Sequence, residues 1–156
     1  QEAKKELLWW TENLEIWNGR SIIPQPHQMI LYTDASESGW GATLDGKHAR
    51  GFWDQETKNK SNNYKELSGI FNGIQSFRAL ENMSLLIRTD NTPALAYVNH
   101  MGGKIPELQQ LAAEMWDYCF QKKLFIRAEY IPGKENTVAD QLSRFKDRND
   151  WKLNPE

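Results

Sequence analysis

The 156-residue sequence has one cysteine, no long apolar run and no excess of either charge. A single thiol, Cys119, excludes an internal disulfide and favours a reducing compartment, and its apolar neighbours at helical spacing predict a core position. No run approaches the roughly 18 apolar residues of a membrane span, and no signal-peptide pattern is present, so we expect a soluble intracellular protein without a membrane partner. Nineteen basic and 21 acidic residues give a formal charge of −2. Any polyanion partner must therefore be held locally.

The first residues already follow a helical apolar pattern. Residues 2–17 carry one apolar stripe that Asn18-Gly19 ends, formed by Ala3, Leu7, Trp10, Leu14 and Trp17. This helix packs either on its own domain or on an upstream one, and both alternatives stay open. Because the chain begins at Gln1 in this helical segment, we expect it to be part of a longer polypeptide.

The order of apolar runs and turn residues predicts one α/β domain with mixed strand directions. Short apolar runs bounded by turn residues predict strands over 29–32, 39–44, 49–53, 84–89 and 124–131. Apolar residues at helical spacing predict helices over 63–80, 93–100, from Pro106 onward and over 135–146. Asp45-Gly46 predicts a tight turn between the second and third strands. Gly69 and Gly73 predict a close approach of a helix to the sheet.

Four carboxylates stand where an α/β sheet binds ligands. Asp34 and Asp90 each follow a buried strand, Glu66 lies near the start of a helix, and Asp140 lies in the last helix. If the first and fourth strands are neighbours, Asp34 and Asp90 meet at one sheet edge, and the helix brings Glu66 to them. Such carboxylates repel one another unless cations neutralise them. Oxygen ligands without a His or Cys cluster suit Mg²⁺ or Mn²⁺, and two such ions suit displacement at a phosphodiester.

Each carboxylate taken singly has a purely structural alternative. Asp34 suits an Asx turn, Glu66 a reciprocal cap with Asn63, and Asp90 a helix cap. Asp140 suits a solvated polar helix face. Only the four together indicate a metal site.

Four segments resemble, in family order, the ribonuclease H domain of reverse transcriptases, and the similarity spans about residues 28–146. They are TDASESGWGA (33–42), SNNYKELSGI (61–70), IRTDNTPALAYV (87–98) and YIPGKENTVADQLSR (130–144). Together with WWTENLEIWNG (9–19), they look like LTR-type retrotransposons, DIRS-type elements first and gypsy-type elements next. The resemblance implies a ribonuclease H-like fold, a five-stranded mixed sheet flanked by helices, with an extra N-terminal helix. It divides the chain into an N-terminal helix and connection to an upstream polymerase region (1–27), the ribonuclease H domain (28–146) and a C-terminal tail (147–156).

The resemblance also implies an active site of four carboxylates that bind two Mg²⁺ ions, with Mn²⁺ as a substitute. Asp34 would bridge both metals, Asp140 would bind the metal that holds the attacking water, and Glu66 and Asp90 would bind the other. The implied reaction is hydrolysis of the RNA strand of an RNA/DNA hybrid, which leaves 5′-phosphate and 3′-hydroxyl ends. The implied setting is a retrotransposon replication complex in the cytoplasm or nucleus, and the implied partners are the hybrid and an upstream polymerase domain.

Further residues match polar positions of the family. The resemblance implies substrate contacts by Ser36, Ser61, Asn62, Asn63 and Thr92, all of which also suit helix caps. Tyr130 stands ten residues before Asp140, where cellular and retroviral members carry a catalytic-site His, and we expect an auxiliary catalytic role for it. Six basic residues are candidates for phosphate contacts: Lys122, Lys123, Arg127, Lys134, Arg144 and Lys146.

Two other functions remain as alternatives. A non-catalytic tether, like the connection domains of some reverse transcriptases, would bind the hybrid or a partner subunit, but such domains usually lose the carboxylates. A DNA-acting integrase or transposase would share the fold, but integrase-type sites place their Glu on a late helix rather than before the second Asp. The retained carboxylates and their order favour the ribonuclease.

Overall fold

Five strands form one mixed sheet in the computed structural model, which describes residues 29–144. They are β1 Met29–Ala35, β2 Gly39–Leu44, β3 Lys47–Phe52, β4 Met83–Thr89 and β5 Leu124–Tyr130. Their spatial order is β3-β2-β1-β4-β5, with antiparallel pairing from β3 to β1 and parallel pairing from β1 to β5. The mixed sheet is as predicted. The first and fourth strands are neighbours, which is the condition under which Asp34 and Asp90 were expected to meet. The predicted helix over 2–17 and the tail over 147–156 lie outside the described residues.

A tight turn joins β2 to β3, as predicted. Asp45 and Gly46 both have positive φ, 49° and 83°. Positive φ at both central residues is the geometry that matches a two-residue turn to the twist of a hairpin. β2 and β3 consequently pair in register over their full lengths, from Gly39 with Phe52 to Leu44 with Lys47.

Within residues 29–144, five α-helices accompany the sheet: α1 Gln55–Lys58, α2 Asn62–Ser76, α3 Thr92–Asn99, α4 Pro106–Gln121 and α5 Thr137–Ser143. α1 was not predicted, because it is a single turn with no buried residue and leaves no apolar period. The prediction of α2 through residue 80 is wrong. The helix ends at Phe77, whose backbone angles, φ −107° and ψ 89°, are not helical. Leu80 is buried in the core, but it lies in a turn in which its N–H donates to Phe77 O at 3.0 Å.

The last helix is also shorter than predicted. A 3-10 turn over Gly133–Glu135 comes first, and α5 begins only at Thr137. Asn136 separates the two because its backbone, at φ −99° and ψ 50°, is not helical. Its buried side chain donates from Nδ2 to Thr33 O at 2.8 Å, which ties the start of α5 to β1.

Glycines bring one helix close to each face of the sheet. On α2, a Cβ at Gly73 would lie 3.0 Å from Ala42 Cβ, and one at Gly69 would lie 3.3 Å from Trp40 Cβ, so the predicted close approach is confirmed. On the opposite face, a Cβ at Gly41 would lie 2.5 Å from both Ala139 O and the Leu142 Cβ in α5. α5 therefore sits directly on β2 where that strand lacks a side chain.

The core lies between the sheet and the helices α2, α3 and α4. Cys119 is fully buried there, as predicted. The edge strand β5 is partly closed by the side chain of Asn99, which donates to Ala128 O at 3.0 Å and accepts from Ala128 N–H at 2.8 Å. Within residues 29–144, no helix is both long and apolar enough to cross a bilayer.

Candidate active site

Three carboxylates meet where β1 and β4 end side by side. Asp34 lies near the end of β1, Asp90 directly follows β4, and Glu66 lies near the start of α2. One oxygen of each lies within 4.8 Å of the other two. Parallel pairing of β1 with β4 brings their carboxyl ends to one edge, and the Gly69 and Gly73 contacts hold α2 over it. The predicted convergence of these residues is therefore what the fold produces.

The cluster strongly disfavours its own ionised form. Burial, a hydrogen bond with Asp140 and the charges of Asp90 and Asp140 raise the pKa of Asp34 to about 7. Burial and the charges of Asp34 and Asp90 raise the pKa of Glu66 to about 9. Burial also raises the pKa of Asp90, with a contribution from the Asp140 charge. A proton or a cation must therefore compensate these carboxylates near neutral pH.

Asp140 joins the cluster from the opposite face of the sheet. In register, Asp34 stands opposite Gly41, the glycine on which α5 rests, and the Asp140 side chain hydrogen-bonds with Asp34. Arg144, one turn later, donates from Nε to Asp140 Oδ1 at 2.8 Å. Asp140 is thus part of a carboxylate pair as well as an ion pair, rather than only a member of a solvated polar face.

The capping alternatives for Glu66 and Asp90 are wrong. Ser61 caps α2 by accepting the Tyr64 N–H at 3.2 Å, and Asn91 caps α3 by accepting the Ala94 N–H at 2.7 Å. Glu66 Oε1 is buried and makes no hydrogen bond to any described residue. An acceptor left in this state costs free energy that a ligand can recover.

The donor set fits a divalent metal ion. Each carboxylate supplies hard, anionic oxygen, and Glu66 Oε1 has no protein donor among the described residues. Mg²⁺ and Mn²⁺ prefer oxygen ligands of this kind. The cluster of Asp34, Glu66 and Asp90 is therefore able to bind such an ion.

The predicted substrate-contact residues occupy different places. Ser36 and Asn62 line an open groove of about 650 Å³ that Glu66 and Asp90 also line. Ser36 Oγ additionally donates to Ser143 O at 2.5 Å, at the end of α5. Asn63 Oδ1 accepts from Asn91 Nδ2 at 3.1 Å, which links the starts of α2 and α3. The other two are Ser61, which caps α2, and Thr92, which is exposed on α3. Tyr130, the predicted auxiliary catalytic residue, is 58% exposed at the end of β5.

Three of the six basic residues proposed for phosphate contacts, Lys122, Lys123 and Arg127, do not line this groove, and Lys134 lies in the 3-10 turn next to Gly133. Lys122 and Lys123 precede β5, at the end of the sheet opposite to the carboxylates, and Lys122 Nζ lies 3.7 Å from Glu81 Oε1. Arg127 pairs at 3.7 Å with Glu129. Of the six, Arg144 lines the groove, and Lys146 is outside the described residues.

Lys65 lines the groove and was missed by the sequence reasoning. It is only 6% exposed. Its spacing could have revealed it, because Lys65, Gly69 and Gly73 lie four residues apart on one face of α2, and the two glycines face the sheet.

The RNase H family model matches residues 26–146, which is most of the sequence and includes all four carboxylates. The chain belongs to the ribonuclease H family. This RNase H domain is 32% identical over 128 residues to the retrovirus-related Pol polyprotein from transposon 412 of Drosophila melanogaster, a match covering 75% of this chain and 10% of that polyprotein. It is also 32% identical over 169 residues to the enzymatic polyprotein of figwort mosaic virus (strain DxS), covering 92% of this chain and 24% of the polyprotein.

The RNase H domain thus spans a tenth to a quarter of the length of these polyprotein relatives. They confirm the resemblance to retroelement proteins, while the choice between a DIRS-type and a gypsy-type element stays a prediction. Solved structures confirm the fold. RNase H1 of Halobacterium salinarum NRC-1 matches with a TM-score of 0.63 and 15% identity, over 79% of this chain and 98% of that one. LC11-RNase H1 in complex with an RNA/DNA hybrid matches with a TM-score of 0.62 and 17% identity, over 73% and 92%.

Proposed function

We propose that this RNase H domain hydrolyses the RNA strand of RNA/DNA hybrids during retrotransposon reverse transcription. The observation that carries the proposal is the convergence of Asp34, Glu66 and Asp90, with Asp140 against Asp34, at the end of two parallel strands. Buried carboxylates that raise one another's pKa destabilise a protein when they are ionised, unless a bound cation neutralises their charge. A domain that only tethered a hybrid would gain nothing from keeping all four.

The four carboxylates would hold two Mg²⁺ ions, for which Mn²⁺ would substitute. Divalent cations there would lower the pKa of a bound water and stabilise the leaving oxygen of the phosphodiester. Asp34 has an oxygen within 4.8 Å of Glu66 and Asp90 and lies beside Asp140, so it would hold a cation together with either side of the set. Arg144 holds the Asp140 carboxylate by a 2.8 Å ion pair and so orients it toward Asp34.

Hybrid recognition would come from the groove beside the carboxylates. Discrimination of RNA from DNA requires a contact to the 2′-hydroxyl, and a side-chain amide such as that of Asn62 is both donor and acceptor. Tyr130, exposed at the end of β5, would act as an auxiliary residue in product release or proton transfer. The hybrid in the LC11-RNase H1 structure supports this substrate class.

An upstream polymerase domain would supply much of the affinity, inside an intracellular replication complex. The relatives are polyproteins several times longer than this chain. The chain's net charge of −2 provides little general attraction to a polyanion. The isolated domain is therefore expected to bind the hybrid weakly and to lose affinity steeply as salt rises.

A cleavage assay tests the proposal directly. Labelled RNA/DNA hybrid, duplex DNA and duplex RNA are incubated with the 156-residue protein in Mg²⁺, Mn²⁺ or EDTA. We expect metal-dependent cutting of only the RNA strand of the hybrid, with loss of at least 100-fold in rate for Asp90→Asn, which removes one ligand charge. Asp117→Asn, on the surface helix α4, is the matched control and should cleave normally.

Two results would contradict the proposal. Cleavage by Asp90→Asn at the wild-type rate would exclude the carboxylate cluster as the active site. Hybrid binding without cutting in either metal would favour the tether function.

A further inference from the structure

Lys65 is a largely buried residue whose ammonium has no ion-pair partner among the described residues. The residue is only 6% exposed. No carboxylate in residues 29–144 lies within 4.0 Å of its ammonium. Lys60, just before α2, shows the ordinary arrangement, since its ammonium pairs with Glu107 and lies over the Tyr64 ring. The ammonium is not one of the buried side-chain atoms that lack a partner, so it keeps contact with solvent at the groove. With no carboxylate paired to it, it is available to an anion that enters the groove.

The fold aims Lys65 into the same groove as the active-site carboxylates. Lys65 lies one helical turn before Gly69, whose Cβ position is 3.7 Å from Asp34 O at the end of β1. The sheet ends at this level, so the longer side chain reaches past Ala35 and lines the groove together with Glu66 and Asp90. A linear ligand that passes the carboxylates therefore also passes Lys65.

The surroundings of Lys65 favour an anionic ligand with a hydrogen-bonding backbone. Lys58 and Asn62 line the groove beside it, and both side chains are exposed. Asn62 is also the first residue of α2, where backbone N–H groups and the helix dipole favour a negative charge. Outside the cluster, the acidic lining residue is Glu37 on the exposed loop after β1, and it makes no ion pair with Lys65.

We propose that Lys65 is a substrate-positioning residue whose ammonium binds a backbone phosphate of the hybrid other than the one that is cleaved. The proposal rests on the proposed function, because it takes the nucleic-acid strand as the groove's ligand. A strand carries one phosphate per nucleotide, so a strand with one phosphate at the carboxylates presents a neighbouring phosphate to the rest of the groove. Lys65 then sets which phosphate stands at the carboxylates.

The salt dependence of hybrid binding tests this role. In the cleavage-deficient Asp90→Asn background with Mg²⁺, the dissociation constant is measured by fluorescence anisotropy between 50 and 200 mM salt, with and without Lys65→Met. Loss of one phosphate contact should lower the slope of log affinity against log salt by about one and weaken binding at 50 mM salt by about fivefold or more. Lys60→Met, which removes an equal charge outside the groove, should leave the slope unchanged.

A phosphate walk along the hybrid separates contact from structure. Single methylphosphonates, which remove one phosphate charge each, should weaken binding at one non-cleaved position, and this penalty should disappear in Lys65→Met. The melting temperature of Lys65→Met should stay close to that of the wild type, because the Lys65 ammonium makes no ion pair with any described residue. Lys65→Arg keeps the charge, so it should keep the slope and the position-specific penalty even if Lys65→Met does not fold.

The possible failures are distinct. An unchanged slope in Lys65→Met, or an equal decrease in Lys60→Met, would overturn the role of Lys65 while leaving the proposed nuclease intact. If every methylphosphonate weakens binding by Lys65→Met as much as it weakens binding by the wild type, the role of Lys65 would also be overturned, with the proposed nuclease intact. Absence of hybrid binding by the wild-type protein would instead remove the proposed function, and the Lys65 proposal with it.

Discussion

Replacing Glu66 with glutamine should stabilise the metal-free protein, and the gain should grow as pH rises. Burial and the charges of Asp34 and Asp90 raise the pKa of Glu66 from 4.5 to about 9 in the folded protein. The unfolded chain releases this proton at an ordinary pKa. Folded protein therefore holds a proton that unfolded protein has lost between these pH values, and the stability present below pH 4.5 is lost as pH rises toward 9.

The magnitude follows from the width of this interval. Each pH unit above 4.5 costs the folded state about 1.4 kcal/mol, so at pH 8 the cost approaches about 5 kcal/mol. Glutamine has the same shape and no charge, and its amide can donate to the Asp34 carboxylate. Because Asp34 and Glu66 share the repulsion, we expect a net stabilisation by Glu66→Gln of about 3–5 kcal/mol at pH 8 and near zero at pH 4.5.

Unfolding measurements in EDTA check this prediction. Thermal and urea unfolding are followed by circular dichroism at pH 4.5, 6 and 8, and the difference in melting temperature at pH 8 should be on the order of 10 °C for a domain of this size. Glu114→Gln, which neutralises an exposed carboxyl on α4, is the control and should show no such pH-dependent gain. Mg²⁺ at pH 8 should raise the melting temperature of the wild type more than that of Glu66→Gln.

A Glu66→Gln variant whose stability relative to wild type does not change between pH 4.5 and pH 8 would show that burial and the neighbouring charges do not hold a proton on Glu66. A variant less stable than wild type at pH 8 would show that ionised Glu66 has a stabilising protein partner.

Three backbone contacts give further predictions. Gly41→Ala should destabilise the protein by about 2 kcal/mol or more, measured by urea unfolding, because its Cβ would lie 2.5 Å from α5. Gly133→Ala should weaken Mn²⁺ binding in calorimetry, since its Cβ would lie 2.7 Å from Asp90 Oδ2, with a stability loss of only about 1 kcal/mol. Asn99→Ala should cost about 1–3 kcal/mol of stability and leave Mn²⁺ affinity unchanged, because it removes two hydrogen bonds to Ala128 far from the carboxylates.

Each of these predictions has an opposing result. Wild-type stability of Gly41→Ala would mean that α5 does not rest on β2. Unchanged Mn²⁺ affinity in Gly133→Ala would mean that the 3-10 turn does not position Asp90. Weaker Mn²⁺ binding in Asn99→Ala would show that the edge of β5 is coupled to the site.

Much of the fold was predictable because its signals are local. Asp45-Gly46 supplies the positive φ angles of the hairpin turn whatever surrounds it. Gly69 and Gly73 leave one face of α2 without side chains, so that face can pack directly against the sheet. The failures were also local: α1 is too short to show a period, and Leu80 is apolar at helical spacing although its backbone has already left the helix.

The candidate site was predictable in its members and not in its electrostatics. Asp34 and Asp90 lie at the ends of two strands, so they meet once those strands pair in parallel. The raised pKa values of Asp34 and Glu66 depend on burial and on distances between side chains from β1, α2 and α5, which no local pattern encodes. The same holds for Arg144, whose partner Asp140 would be ordinary surface charge without its contact to Asp34.

Side-chain type and spacing along the chain are enough to predict the strands, most helices, the hairpin turn and the four acidic residues. Tertiary structure alone decided which charges are compensated. It placed Lys122 and Lys123 at the wrong end of the sheet for the carboxylate groove and buried Lys65 inside that groove. The physical reason is that the energy of a charge depends on the solvent and counter-charges around it in three dimensions, and these are set only when distant segments pack together.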